Sequence, residues 1–491
     1  MPLKCGRLFK LSFWQSMCQK DSERERFLEY WKQFGTDASI NNMMLHANAS
    51  VFEEKDREDV CLMLPDYTNK RVLDVGAGIG RFTAILSIHA SSTYATDFMK
   101  SYVEKLRLLR KKVRDSGKKL TVKQEDATCL TFKKKSFFLI FTNWLLMYMN
   151  DIESVLFLQK SLKWLEEGGY FKFRESCSEP SVLGIESVYD LCSFNKNIQN
   201  PTIYRYSSVY IKMIEAIRYV DKKKRMWKYE IEICSSVPTY IDYGSNWRQV
   251  QMKLKKVRAN YGERFYYPSE IATLVGKDWV TEQKHTDDIV NNIENYFADN
   301  IVGQIIKKMK KEIIGNSNEK SVIINYNCLQ NEWYKRVNPF SLPNLKNTII
   351  WTNECDPKLF RCSLTAANKK KNSKIFFSYT KNEMYHLLDY IEKRNIIPKL
   401  FVAIDFLSHN DMDFFPYYTR VANNPYAKFI LLESYKTENE KKNKLNKVPN
   451  YCRVMDFTEE VHNGFKSLNY THIIDNESIT ISQWMLMSIN L

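Results

Sequence analysis

Between residues 71 and 176, short apolar runs alternate with stretches of mixed polarity. The runs at 71–75, "STYATDF" (92–98), "LTVKQEDA" (120–127), the start of "FFLIFTNWLLMYM" (137–149) and "YFKFRES" (170–176) read as strands. Between them, three- and four-residue apolar spacing predicts helices over 80–90, 99–115 and 152–165, the last ending before Gly168-Gly169. Upstream, 23–35 reads as a helix with Phe27, Tyr30, Trp31 and Phe34 on one face. A second helix over 51–65 starts in acidic residues and stops at Pro65. Strands alternating with helices predict a parallel, doubly wound α/β sheet.

The character changes past residue 265. Residues 266–315 read as a helical connector ending in "IIKKMKKE". Six further apolar runs, from "SVIINYN" to "ITISQWMLMSI", predict a second α/β unit over 316–491, this one without a glycine-rich turn. The basic runs at 368–374 and 439–447 read as solvated loops. A chain of 491 residues is expected to hold two cores. Residues 1–22 lack the continuous apolar segment of a secretion signal, and a frayed basic arm is preferred over a mitochondrial presequence.

The net charge of +16 asks for an anionic partner, without choosing between a phosphorylated metabolite, a nucleic acid and an acidic surface. Eleven scattered cysteines and seven histidines show no metal-ligand spacing. Reduced thiols in a cytoplasmic chain are therefore expected, with no metal. With no run of 18 apolar residues, no membrane span is expected. A monomer is anticipated.

The stretch "VLDVGAGIGRF" (72–82) carries the chemistry. Gly76, Gly78 and Gly80 let a strand turn tightly into a helix and approach a ligand closely. Their spacing is G-x-G-x-G, so the third glycine comes one residue earlier than in the dinucleotide fingerprint. Asp74 precedes the turn. Asp97, ending the second strand and followed by Phe98, is placed to accept two ribose hydroxyls. Asp126, with Ala127, is placed for an adenine amino group, and Asn143 ends the fourth strand. Together these residues resemble class I S-adenosylmethionine-dependent methyltransferases, a Rossmann-like fold.

Further motifs narrow the resemblance. "FTNWLLMYM", "GGYFKFRESCSEPS" and "NPTIYRYSSVY" are similar to phosphoethanolamine N-methyltransferases, over about residues 25–265. The nematode form, with an N-terminal catalytic domain and a degenerate methyltransferase-like C-terminal domain, is the nearest in layout; "NWRQV" (246–250) and "FVAIDFLS" (401–408) extend the match. The resemblance implies S-adenosylmethionine as cofactor and phosphoethanolamine as substrate. It also implies the first methylation towards phosphocholine and phosphatidylcholine, with the second half neither binding cofactor nor catalysing. Arg174, Arg205 and Arg248 are candidates for the substrate phosphate, with Tyr204 and Tyr206 as hydroxyl donors. Arg174 is favoured for its place at a strand's carboxyl end.

Single-domain relatives carry an Asp and a His in the strand-four loop, the His working with an N-terminal Tyr. Here those positions read Trp144 and Tyr148. An aromatic wall of Tyr30, Trp31, Trp144 and Tyr148 is the expected substitute, stabilising sulfonium and ammonium by cation–π contact. His46 is a candidate base. The alternatives are an RNA or DNA methyltransferase, prompted by charge and by "NNPY" (423–426), and a non-catalytic S-adenosylmethionine-binding regulator. The strand-four loop, N-W-L-L at 143–146, lacks the proline of the nucleic-acid enzymes.

Overall fold

The alternation in the first half builds a sheet that continues into the second. A computed structural model describes residues 25–35, 37–178, 201–244 and 246–276. In the second half it describes 321–326, 348–354, 357, 375–380, 384–404, 428–448, 450, 452–456, 458–459 and 483–489. The arm at 1–22, the connector past 276, the run 368–374 and the stretch 423–426 lie outside these residues.

The first half runs α1 (25–35), α2 (Ile40–Met43), α3 (Ala49–Leu62), β1 (Arg71–Val75), α4 (Arg81–His89), β2 (Ser92–Asp97), α5 (Lys100–Asp115) and β3 (Lys119–Gln124). It continues with β4 (Phe137–Asn143), a 3-10 turn (Leu146–Tyr148), α6 (Asp151–Trp164) and β5 (Leu165–Ser176). Beyond these lie α7 (Ser207–Ala216), β6 (Arg218–Val220), β7 (Met226–Ser236), α8 (Pro238–Gly244), β8 (Gln249–Arg258) and α9 (Pro268–Leu274). Parallel pairing gives the order β3-β2-β1-β4-β5, to which β8 and then β7 add antiparallel. β4 is continuously apolar because helices cover both of its faces: Leu139 and Ile140 are fully buried. α5 buries Tyr102, Val103 and Leu106 and leaves its arginines and lysines in solvent, as its amphipathic pattern requires. A reciprocal capping box between Asn150 and Glu153 starts α6.

Two local expectations are corrected. α6 stops at Trp164 and β5 starts at once, so Gly168-Gly169 lies inside the strand. The register there shifts against β4, and a Cβ on Gly169 would stand 2.8 Å from the Phe138 carbonyl oxygen. The glycine permits that close approach. The charged run expected as a loop at 439–447 instead forms most of α11 (Glu438–Leu445). Thr437 caps it, Glu438 and Glu440 sit in its first turn, and Lys442 and Lys444 in its last, each sign matching the helix dipole.

In the second half the expected runs form β9 (Ser321–Tyr326), β10 (Thr348–Glu354), β11 (Ile375–Tyr379), β12 (Ile397–Ile404), β13 (Lys428–Tyr435) and β15 (Gln483–Ile489). They are accompanied by α10 (Met384–Lys393) and a short β14 (Arg453–Asp456). β11 pairs antiparallel with β7, Ser378 opposite Ser235 and Tyr379 opposite Cys234. The halves thus share one 15-stranded sheet among the described residues. One buried apolar cluster follows it, from Trp164 and Phe171 through Ile233 to Trp351 and Leu387.

Candidate active site

β1 and β4 are neighbours whose helices lead in opposite directions along the sheet, and a crevice opens at their carboxyl ends. The glycine turn forms one lip. Gly76, Gly78 and Gly80 all have positive φ (70°, 55° and 92°), a conformation that costs other residues strain. A side chain on Gly80 would also collide with Leu106 and Leu109, 2.7 Å away. Asp97 pins the loop: Gly78 N–H donates to its Oδ2 (2.9 Å) and Met99 N–H to its Oδ1 (2.8 Å). The Phe98 N–H also interacts with this carboxylate, and two oxygens with about four accepting sites still leave room for a further donor. Burial pushes the Asp97 carboxyl up to about 6, with those N–H groups pulling the other way. Asp74, equally enclosed, takes the Thr83 hydroxyl at 2.6 Å and ties β1 to α4. Burial raises its carboxyl to about 7.

The strand-four turn forms the other lip. Trp144 has φ 55°, an uncommon conformation for so large a side chain, held by several contacts at once. Its N–H donates to the Arg174 carbonyl (2.8 Å), and its indole N–H to Gln249 Oε1 (2.8 Å). The Arg174 guanidinium lies 3.8 Å from its ring centre. The turn after it is gripped by two buried charges. Glu175 accepts the N–H groups of Leu145, Leu146 and Met147. Arg205 donates to the carbonyls of Leu146 (3.1 Å) and Met149 (2.8 Å) and pairs with Asp151. Burial lifts the Glu175 carboxyl to about 7, against the pull of those N–H groups.

Beneath the lips lies a charge network that the sequence did not announce. Asp56 on α3, with no exposed surface, takes Arg81 Nη2 on one oxygen and Arg174 Nη1 on the other, each at 2.7 Å. Glu53 receives Arg81 Nε at 2.8 Å, and Asn143 receives Arg174 Nε at 2.7 Å. The expectation of an open phosphate site at Arg174 is therefore corrected, because a buried carboxylate already neutralises it. Arg205 is likewise committed to the turn. Arg248 differs: its Nε donates to the Cys177 carbonyl (2.9 Å), but its buried Nη2 has no partner among the described residues. Its guanidinium stands 4.7 Å from the ring centre of Tyr204. Tyr206 occupies the residue position before α7, without a side-chain capping bond, and, like Tyr204, Tyr30, Asp74 and Gly80, does not line the cavity.

The cavity between the lips measures about 180 Å³. Gly76, Gly78, Asp97, Phe98, Asp126, Ala127 and Asn143 reach it from the strand ends, and Trp31, Trp144, Tyr148 and His46 from the other side. Trp31 and Tyr148 meet edge to face with centroids 5.5 Å apart, and Tyr30 packs behind Trp31. Asp126 lies two residues past the end of β3 and accepts from Thr128 through Oδ1. His46 Nδ1 accepts the Asn48 N–H, so the neutral ring carries its proton on Nε2, and burial lowers its pKa. That geometry makes it a poor proton acceptor. Sequence reading missed Tyr240 and Tyr243 on α8, Tyr102 on α5, and Glu125, Asn246 and Gln249, all cavity residues. No Lys or Arg lines the cavity among the described residues, whereas Asp97, Glu125 and Asp126 do.

Residues 72–169 match the methyltransferase-domain family model. The phosphoethanolamine N-methyltransferase 1 of Caenorhabditis elegans is 31% identical over 428 residues, spanning 87% of this chain and 86% of its own. The chain belongs to the phosphoethanolamine N-methyltransferases. A wheat (Triticum aestivum) phosphoethanolamine N-methyltransferase is 30% identical over 51% of this chain and 47% of its own. The solved Haemonchus contortus phosphoethanolamine N-methyltransferase 1, in complex with phosphoethanolamine and S-adenosylhomocysteine, superposes with a TM-score of 0.80 at 31% identity. That match covers 95% of this chain and 97% of the other.

The fold is thus the class I S-adenosylmethionine-dependent methyltransferase fold, and the family match extends well into the second half. Among the described residues of this phosphoethanolamine N-methyltransferase, no helix is long and apolar enough to cross a membrane. No group of His, Cys, Asp and Glu among them is disposed to hold a metal ion.

Proposed function

We propose that the chain transfers the methyl group of S-adenosylmethionine to the nitrogen of phosphoethanolamine, forming phospho-N-monomethylethanolamine. One observation carries the reading: a single cavity joins the glycine turn and Asp97 to a wall of Trp31, Trp144 and Tyr148. S-adenosylmethionine brings an electrophilic methyl carbon on a positively charged sulfur. The donor set fits it, since three carboxylates and nine aromatic side chains border the cavity and no Lys or Arg does so among the described residues. Asp97 would hold the ribose, and Phe98, Asp126 and Ala127 the adenine.

The chain's own work is positional and electrostatic. Trp31, Trp144 and Tyr148 favour cationic groups through their ring faces. The grip of Glu175 and Arg205 on the turn keeps two of these rings in place, so the reacting atoms meet in a near-attack arrangement. An amine of pKa near 10 needs roughly 4 kcal/mol to lose its proton at pH 7; that proton would pass to water before the lone pair takes the methyl and S-adenosylhomocysteine leaves. Arg248 is the best-placed arginine for the phosphate. It lies in sequence between Asn246 and Gln249, which reach the cavity, and its buried Nη2 has no hydrogen-bond partner among the described residues.

The test is a labelled methyl-transfer assay with phosphoethanolamine and its mono- and dimethyl forms offered separately. Transfer to phosphoethanolamine is expected. No transfer to any of the three rejects the reading, and transfer only to the methylated forms reverses the step. Isothermal titration with S-adenosylhomocysteine is expected to give one site per chain, because only the first half has a glycine turn. A stoichiometry of two would assign a working site to the second half.

A further inference from the structure

The second half has no glycine turn, yet it reaches the active-site wall through a chain of buried polar contacts. α3 places Phe52, Asp56 and Asp59 on one face, at i, i+4 and i+7. Phe52 packs against Tyr240 and Tyr243 of α8, with centroids 5.3 and 4.6 Å apart, and all three rings border the cavity. Two turns on, Asp59 Oδ2 accepts both the N–H (2.7 Å) and the hydroxyl (2.6 Å) of Thr239, in the first turn of α8. Its Oδ1 is ion-paired with Arg394, just past α10 in the second half. Beside that pair, Gln251 Nε2 donates to the Tyr390 hydroxyl (3.0 Å), also on α10, and Gln251 Oε1 accepts from the buried Lys172 (2.7 Å).

Two physical facts give this link weight. A seven-residue helix such as α8 is not stable by itself, so its position depends on what holds it. The Arg394 and Asp59 side chains are only 13% and 7% exposed, so water and salt screen their pairing little. Without Arg394, Asp59 would be a buried carboxylate short of a counter-charge, and such a group draws in water or shifts to find another partner. Thr239 and α8 would move with it.

We propose that Arg394 is a positioning residue for the methyl acceptor: through Asp59 and Thr239 it holds α8, and with it the Tyr240–Tyr243 wall of the cavity. The second half then takes part in the reaction of the first without a site of its own. This rests on the functional reading above. The cofactor side of the cavity, at the ends of β2 and β3, is built from other elements and is not held by α8.

The experiment compares full-length wild type with Arg394→Met, Arg394→Lys, Tyr243→Ala and the Arg394→Met/Tyr243→Ala double variant. It reads kcat and KM for phosphoethanolamine and the Kd of S-adenosylhomocysteine. Arg394→Met is expected to raise KM about tenfold or more while the S-adenosylhomocysteine Kd stays within about twofold, and Arg394→Lys to recover most of the loss. The double variant should be scarcely worse than the poorer single, since both act on one wall. An unchanged KM, a parallel loss of S-adenosylhomocysteine affinity, or fully additive effects would overturn the proposal. If Arg394→Met does not fold, Thr239→Val, nearly isosteric, removes the hydroxyl half of the same link at its far end and leaves the Thr239 N–H bond to Asp59. A smaller KM rise is then expected, and an unchanged KM rejects the idea. A wild type inactive on phosphoethanolamine would instead reject the functional reading.

Discussion

Asp97→Ala is expected to weaken S-adenosylhomocysteine binding by about 3 kcal/mol, roughly a hundredfold in Kd. The effect has two parts. The carboxylate is the candidate acceptor for the ribose hydroxyls, and hydrogen bonds to charged groups are the strong ones. It also restrains the loop, since Gly78 and Met99 both donate to it. Asp97→Asn separates the two: it keeps one acceptor oxygen but loses the charge, and should fall between wild type and alanine. Titration calorimetry measures all three, and an unchanged Kd for alanine would remove Asp97 from the cofactor site. The pH dependence carries its own sign. Burial holds the free carboxyl up at about 6, so it takes a proton as pH falls through that value. Affinity should therefore decline between pH 7 and 5 in the wild type, and that decline should flatten in Asp97→Ala.

Asp56→Ala is expected to cost about 3–5 kcal/mol of stability, the usual consequence of removing one member of a buried charge group. Two fully or nearly enclosed guanidinium groups, Arg81 and Arg174, share this one carboxylate. Its loss leaves them close together with Glu53 as the remaining carboxylate partner, on the Arg81 side alone. Urea unfolding followed by tryptophan fluorescence would show a lowered midpoint. Asp56→Asn, retaining an acceptor oxygen, should lose less. Because Arg174 also lies against Trp144, activity should fall even where the variant is folded. A midpoint equal to wild type would show that the arginines find other partners or water.

The sequence was most legible where a residue's role depends on its neighbours in the chain. Apolar runs such as "FFLIF" and the G-x-G-x-G turn declare strand, turn and helix locally, and the strands and their ends followed. Asp97, Asp126 and Asn143 reach the cavity because topology alone brings the carboxyl ends of parallel strands together. Roles set by long-range pairing were not legible. Arg174 stands at a strand's end as expected, but its partner is Asp56, 118 positions away. Glu53, Asp56 and Asp59 read only as acids of the helix over 51–65, with no partner indicated. The signal was the place of Asp56 and Asp59 on the same face as Phe52, an apolar face that needs a reason to carry charge. The strand-to-strand seam between the halves left no trace, since two residue pairs of β7 and β11 carry no motif.

The outer edge of β7 is shared: β6 pairs with its beginning, from Met226 to Lys228, and β11 with Cys234 and Ser235 near its end. Its middle and end are mostly buried, with Tyr229, Ile231, Ile233 and Cys234 beside Glu232 and two serines, and a strand edge of this kind can recruit another molecule's strand when left bare. In this chain β11 of the second half occupies that edge at Cys234 and Ser235, so the seam leaves the end of β7 no bare backbone to offer another copy.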